Sequence, residues 1–312
     1  MMDRTDRHFR YLLRLLSSDA VLYTEMVVAQ AVKHGDKDRL LGYDPSEHPL
    51  VLQLGGSEPD ILASAAAEGE RRGYDAINLN IGCPSDRVQS GAFGACLMSE
   101  PALVADGVRA IRDRIAIPVS VKTRIGIDDH DSYGFLRDFI EPLIDAGCQE
   151  FAVHARKALL SGLSPAENRS IPPLRYETVY RLKQDYPELH ISINGGVRTT
   201  AEVLGHLQHV DGVMIGRQAY KEPYWIAELQ EALSGTKSLR SSRREVVSQM
   251  AEYAEVALSA GARLNHITRH MLGLFAGQPG ARAWRRYLSE NAYRPNAGPD
   301  ILSQSLRYVD RG

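Results

Sequence analysis

The chain has 312 residues, of which 44% are hydrophobic and 24% charged, with a formal net charge of −2. That balance belongs to ordinary globular proteins and excludes disorder, collagen and coiled coil. No apolar run approaches the roughly 18–20 residues a membrane helix needs, and the charged start MMDRTDRHFR is not a secretory signal. The cysteines, Cys83, Cys96 and Cys148, are odd in number and widely spaced. They fit neither a disulfide framework nor a paired CxxC zinc site, and they point to the cytoplasm.

In chain order, Thr5–Leu16 reads as a helix. Short apolar runs follow at Ala20–Tyr23, Leu50–Leu54, Ala76–Asn80, Pro118–Lys122, Glu150–His154, His190–Asn194 and Gly212–Ile215. Most are near-continuous, the pattern of parallel strands covered on both faces. Helical patterns lie between them at Pro59–Arg72, Pro101–Arg114, Tyr133–Ala146, Arg175–Tyr186 and Thr200–His209. Gly73 and Gly147 stand where a helix C-terminus needs a left-handed residue. Such regular alternation predicts an α/β fold with a parallel sheet.

No GxGxxG follows an early strand, so the dinucleotide-binding fingerprint is missing. Polar residues instead gather at the strand C-terminal ends: Gln53, Asn78, Asn80, Lys122, His154 and Asn194. A (β/α)8 TIM barrel brings all those ends to one catalytic face, so a barrel accounts for them better than an open sheet. The runs number seven, not eight; the first strand is missing or lies upstream of Met1. After a last barrel helix, Trp225–Leu233, the stretch Ser234–Ser242 reads as a linker. Helical patterns then follow at Arg243–Ala260, Leu264–Phe275, Ala281–Asn291 and Pro299–Val309. The expected domains are a barrel over 1–234 and an all-helical domain over 235–312. From Arg240 onward there are 11 arginines and no lysine against 6 acids, while residues 1–239 hold 26 basic and 33 acidic residues. On charge alone, a solvated helical surface is the simpler account of that basic segment.

Four features carry chemistry. Asn194-Gly195-Gly196 and Gly216-Arg217 end the last two strands, where barrels bind phosphate on glycine backbone N–H groups and a helix start; plain turns are the alternative. Gln53, Lys122 and His154 suit a planar heterocycle: an amide that donates and accepts in one plane, a cation for charge developing on a ring, and a further donor. With a single phosphate locus they point to a mononucleotide such as FMN. Cys83, in the loop Gly82-Cys83-Pro84-Ser85, stands at the mouth. An ordinary thiol, with a pKa of about 8.5, is protonated at neutral pH and serves as a general acid as readily as a nucleophile. Cys96 and Cys148 read as structural. Arg282, Arg285 and Arg286 share one helix face, with Trp284 turned to the helical core, a stripe fit for RNA phosphates or for a salt-bridged surface. His266 and His270 are spaced for zinc, but an HExxH glutamate and a third ligand are missing, so no metal is expected.

Several stretches give these residues a family context: LQLGG at 52–56, INLNIGCPSDRVQSGAFGACLM at 77–98, VKTRIGIDD at 121–129, VHARKALLSGLSP at 153–165, SINGGV at 192–197, GVMIGRQAY at 212–220 and HITRHMLGLFAGQPGARAWRRYLSENA at 266–292. Together with YTEMV at 23–27 and the start at 5–10, they make the chain resemble the tRNA-dihydrouridine synthases, specifically their A-type bacterial subfamily, over essentially its whole length. The resemblance implies an FMN-binding TIM barrel with a C-terminal helical domain. It implies that NADPH reduces FMN, that hydride passes to C6 of a D-loop uridine, around position 20 or 20a, drawn out of its stack, and that Cys83 protonates C5. By the same resemblance Met1, Met2, Gln53, Lys122, His154, Asn194, Gly195, Gly196, Gly216 and Arg217 hold FMN, and Asn80, Lys157, Arg282 and Arg285 contact tRNA.

A monomeric cytoplasmic enzyme without membrane contact is the expectation. The family motif Ala-Pro-Met at the end of the first strand is reduced here to Met1-Met2-Asp3. Either the true start lies upstream, or the chain is shortened, destabilised and weak in FMN binding, because a barrel lacking a strand exposes two edges. Two alternatives follow: a non-catalytic tRNA-binding protein, or a flavin barrel that reduces free pyrimidines.

Overall fold

Two compact units make up the chain in the computed structural model, which describes residues 1–85, 88, 91–235 and 241–309. One unit comprises Tyr23–Gly42 and Pro49–Ile215; the other comprises Met1–Leu22, Tyr43–His48 and Gly216–Gly312. In chain order the first elements are α1 (Arg7–Leu16), β1 (Leu22–Tyr23), β2 (Val27–Val28), α2 (Ala29–His34), α3 (Lys37–Leu41), β3 (Leu50–Gly55), α4 (Pro59–Arg71) and β4 (Ala76–Ile81). Then come α5 (Pro101–Arg112), β5 (Val119–Arg124), α6 (Tyr133–Asp145), β6 (Glu150–His154), α7 (Tyr176–Asp185), β7 (His190–Asn194), α8 (Thr200–His206) and β8 (Gly212–Met214). The remainder is helical: α9 (Arg217–Lys221), α10 (Trp225–Ser234), α11 (Arg243–Ser259), α12 (Leu264–Thr268), α13 (Ala281–Asn291) and α14 (Asp300–Ser305).

The strand order is β1-β3-β4-β5-β6-β7-β8, with β2 beside β3, and the ladders from β2 to β8 are parallel. This is the TIM-barrel type of α/β sheet, as an open path between β1 and β8. Register does the positioning. Asn80 pairs with Lys122 and Lys122 with Ala152, while Arg124 pairs with His154 and His154 with Asn194. Side chains alternate between faces along each strand. Asn78, Asn80, Ser120, Lys122, Arg124, His154 and Asn194 therefore share one face.

Leu52, Ile77, Leu79, Val121, Phe151, Val153, Ile191 and Ile193 occupy the other face and are buried. A Cβ on Gly69 of α4 would meet Leu52 and Ile77, so that face is the one the helix covers. The strands expected as near-continuous apolar runs are thus apolar toward the helices and largely polar at alternate positions. Gly73 and Gly147 have φ of 89° and 88°, as their places after α4 and α6 require.

Between β1 and β3 lie β2, α2 and α3, none of which the hydrophobic pattern announces. The helical pattern at Leu264–Phe275 ends as a helix at Thr268 and continues as turns. A Cβ on Gly273 would collide with the Lys221 carbonyl, so this stretch is shaped by close packing rather than helical periodicity. Residues 236–240 of the expected linker lie outside the described residues, as do 86, 87, 89 and 90 of the cysteine motif.

The second unit is built on Phe9, Leu12, Val247, Met250, Ile267, Trp284, Leu288 and Leu302, all buried. Asp6 caps α1 by accepting from the His8 and Phe9 N–H groups. Ser242 and Glu245 form a capping box on α11. Arg10 on α1 reaches Glu47 at 2.5 Å, and both side chains are buried. Among the described residues, no helix is long and apolar enough to cross a membrane.

Candidate functional site

The polar ends of β3, β4 and β5 form a hydrogen-bonded chain. Gln53 Nε2 donates to Asn78 Oδ1 at 2.9 Å, and Asn78 Nδ2 donates to Ser120 Oγ at 2.9 Å. Asn80 Nδ2 donates to Gln53 Oε1 at 2.8 Å. Gln53, Asn78 and Ser120 are buried, so this chain satisfies groups that would otherwise be costly. Thr24 takes part through its hydroxyl, which accepts from the Gln53 N–H.

Asn80 also shapes the cysteine loop. Its Oδ1 accepts from the backbone N–H groups of Gly82 and Cys83, each at 3.1 Å. One side chain thus turns the chain out of β4 and fixes the start of the loop. Cys83 is half-buried, and its thiol lies 3.5 Å from Ser85 Oγ. Cys148 is fully buried and its thiol is pushed up to about 12 by desolvation; Cys96 is half-buried and also raised by desolvation.

Lys122 and Arg124 stand two residues apart on the same face of β5. Lys122 keeps some solvent exposure, yet its ammonium is enclosed deeply enough for desolvation to lower it to about 8, helped by the nearby Arg124. It makes no hydrogen bond among the described residues. Arg124 is only 3% exposed. Its Nε donates to the Gly82 carbonyl at 2.9 Å, and its Nη1 donates to the carbonyls of Lys157 at 3.1 Å and Asn168 at 3.0 Å. Burial holds Arg124 down to about 10.

The loop after β6 folds around Asn168, which is fully buried. Its side chain accepts from the Leu159 N–H and donates to the Leu159 and Leu163 carbonyls. Lys157 turns its ammonium to the Asp128 carbonyl at 2.8 Å and to Asp131 at 3.2 Å. Its charge is therefore answered locally. His154, at the end of β6, is buried. Asn194 spends its amide on the Met214 carbonyl at 2.7 Å, tying β7 to β8. Gly195 and Gly196 have φ of 116° and 77°. A Cβ on Gly195 would strike His154, and one on Gly196 would strike Leu174 and the Tyr176 hydroxyl. Only glycine fits this turn, on both backbone and steric grounds.

The other unit carries the remaining candidates. Met1 places its sulfur 3.1 Å from where a Cβ on Gly216 would stand, while Met2 is exposed. Arg217 is exposed at the start of α9. On α13, Arg282, Arg285 and Arg286 are exposed and Trp284 is fully buried, the division the helical spacing predicts. None of these three arginines has a salt-bridge partner among the described residues. His270 meets Asp6 at 2.9 Å, and Arg269 meets it at 2.5 Å.

The structure thus gathers Gln53, Asn80, Cys83, Lys122, His154, Asn194, Gly195, Gly196 and Lys157 in the sheet unit. Met1, Met2, Gly216, Arg217, Arg282 and Arg285 belong to the helical unit. Arg124, Asn168 and Thr24 join the site without being among the residues expected from the sequence. For Arg124 a signal exists: in VKTR it is two residues beyond Lys122 and so shares its face.

Comparison with known proteins gives this geometry its context. A family model described as dihydrouridine synthase matches residues 1–307. The tRNA-dihydrouridine(20/20a) synthase of Shewanella oneidensis is 57% identical over 309 residues, covering 99% of this chain and 92% of that protein. The protein of that name from Vibrio parahaemolyticus is 55% identical over 312 residues, covering all of this chain and 95% of its own. The one from Escherichia coli K12 is 57% identical over 310 residues, covering 99% and 90%. With the matched segment spanning a parallel α/β sheet whose polar face holds the cysteine loop, this chain belongs to the dihydrouridine synthase family.

Proposed function

We propose that this chain is a tRNA-dihydrouridine synthase, reducing the C5–C6 bond of D-loop uridines at positions 20 and 20a, the positions in the names of its relatives. The observation that carries the reading is the Asn80-braced loop that holds Cys83, with Arg124 bonded to the Gly82 carbonyl just before it.

The residues present fit FMN. Lys122 offers an enclosed ammonium with no hydrogen bond of its own among the described residues, suited to an electron-rich ring. Gly195 and Gly196 offer backbone that a phosphate can approach without meeting a Cβ. Met1, Met2, Gln53, Lys122, His154, Asn194, Gly195, Gly196, Gly216 and Arg217 are proposed to hold it. Bound there and reduced by NADPH, FMN would supply hydride to C6 of the uracil.

The chain's own residues do the rest. Cys83 Sγ gives its proton to C5 on the uracil. Asn80 fixes the backbone from which that thiol projects, and with Lys157, Arg282 and Arg285 it is proposed to contact the tRNA. Arg282 and Arg285, with no salt-bridge partner among the described residues, supply cations for phosphates. The helical part, 235–312, would grip the RNA while the barrel part, 1–234, performs the reduction, in a monomer working in the cytoplasm.

The test is direct. Purified protein is incubated with unmodified tRNA, FMN and NADPH, and the RNA is digested to nucleosides for mass spectrometry. NADPH-dependent dihydrouridine is the expected result. Bound tRNA with no dihydrouridine would leave an RNA-binding protein; reduction of free uracil but not tRNA would leave a free-pyrimidine reductase.

A further inference from the structure

We infer that Arg124 is the positioning residue for the Cys83 proton donor, bracing the cysteine loop and facing the negative charge that remains on sulfur once the proton has gone. The inference rests on the proposed reading of Cys83 as the acid. Two observations support it.

The first is geometry. Arg124 ties two loops together, through the carbonyl of Gly82 on one side and those of Lys157 and Asn168 on the other. Gly82 directly precedes Cys83, so the bond from Nε fixes the peptide that aims the thiol. The other two bonds anchor the same guanidinium to the loop after β6, which Asn168 holds closed from within.

The second is charge. A buried guanidinium is costly unless an anion answers it. Among the described residues Arg124 has only carbonyl partners, and Cys83 is the one acidic group that acts favourably on it or on Lys122. The other charged groups acting on Arg124, Arg156 and Arg169, repel it. His154 is its ladder neighbour, and Lys157 is occupied by Asp131. Asp86 and Arg87 of the cysteine loop lie outside the described residues. In the step itself, the S–H bond breaks, a C5–H bond forms, and the electron pair stays on sulfur. The cation then has its counter-charge for that moment, and solvent reprotonates the thiolate.

The first arm of the test needs no RNA and so fails separately from the functional assay. Alkylation of Cys83 by iodoacetamide is followed from about pH 6 to about pH 10 in the purified full chain. Peptide masses separate Cys83 from Cys96 and Cys148. Arg124→Met should raise the midpoint by about one pH unit. Arg124→Gln, neutral but still able to donate to Gly82, should do the same and serves if the methionine variant does not fold. Arg124→Lys keeps the charge but cannot span three carbonyls. It should hold the midpoint and lower kcat for dihydrouridine formation at unchanged KM for tRNA. An unmoved midpoint in a folded neutral variant, or an unchanged kcat in Arg124→Lys, would overturn the inference.

Discussion

Two buried arginines show how differently the two units treat charge. Arg10, on α1, has its guanidinium against the fully buried Glu47, with a further bond to the Thr5 carbonyl. Glu47 in turn accepts from the Asp44 N–H. Desolvation still raises the Glu47 carboxyl, the Arg10 charge offsetting only part of it. Arg124, in the sheet unit, is as deeply buried and has no carboxylate partner among the described residues. The first arrangement is complete in itself and holds a helix to a turn. The second has only carbonyl partners among the described residues, and the proposed Cys83 thiolate would answer its charge. A buried cation without an anion is costly to stability and is kept where a site needs it.

That contrast can be broken from either side. The largest effect should come from Cys83→Ala. Loss of the general acid should slow dihydrouridine formation by about 10²–10⁴-fold, with FMN content and tRNA affinity nearly unchanged. Normal turnover would remove Cys83 from the acid role. Next comes Glu47→Gln, which strands Arg10 without its anion. It should cost about 3 kcal/mol of stability in urea denaturation, while leaving the reactivity of the Cys83 thiol as it was. A loss below about 1 kcal/mol would show that Arg10 reaches water or another partner.

A smaller effect should follow pH. His8 is held down to about 4 by desolvation, against an ordinary 6.5, although Asp6 pulls the other way. Between these values the unfolded chain binds more protons than the folded one, so stability rises with pH across that window. His8→Gln should flatten the slope between pH 7 and pH 5 by about 1–2 kcal/mol; an unchanged slope would place the titration elsewhere. The smallest effect belongs to Arg285→Ala. It should weaken tRNA binding severalfold and reduce the salt slope by about one, and an unchanged slope would put this arginine outside the interface.

What the sequence made legible follows from periodicity and turn chemistry. The strands from Leu50 to Met214 fall where the apolar runs place them, α13 spans Ala281–Asn291 as its spacing demands, and Gly73 and Gly147 mark helix ends. The segment between β1 and β3 was not legible, because a two-residue strand and helices of five and six residues are too short to show a period. The cysteine loop could be found from Gly82, Cys83 and Pro84, but the function of Asn80 as its brace is a matter of where one amide points. Arg124 was hidden for a different reason. The apolar run expected for β5 stops at Lys122, two residues short of Arg124, and the partners of that guanidinium lie 33 to 44 residues further along and 42 residues back.

The most direct measurement compares the parent chain with Cys83→Ala on one preparation of unmodified tRNA, with FMN and NADPH, mapping dihydrouridine by position. Dihydrouridine is expected at 20 and 20a of the D-loop with the parent chain and almost none with the variant, at equal tRNA binding. Equal product from both proteins, or tRNA bound by the parent with no dihydrouridine formed, would contradict it.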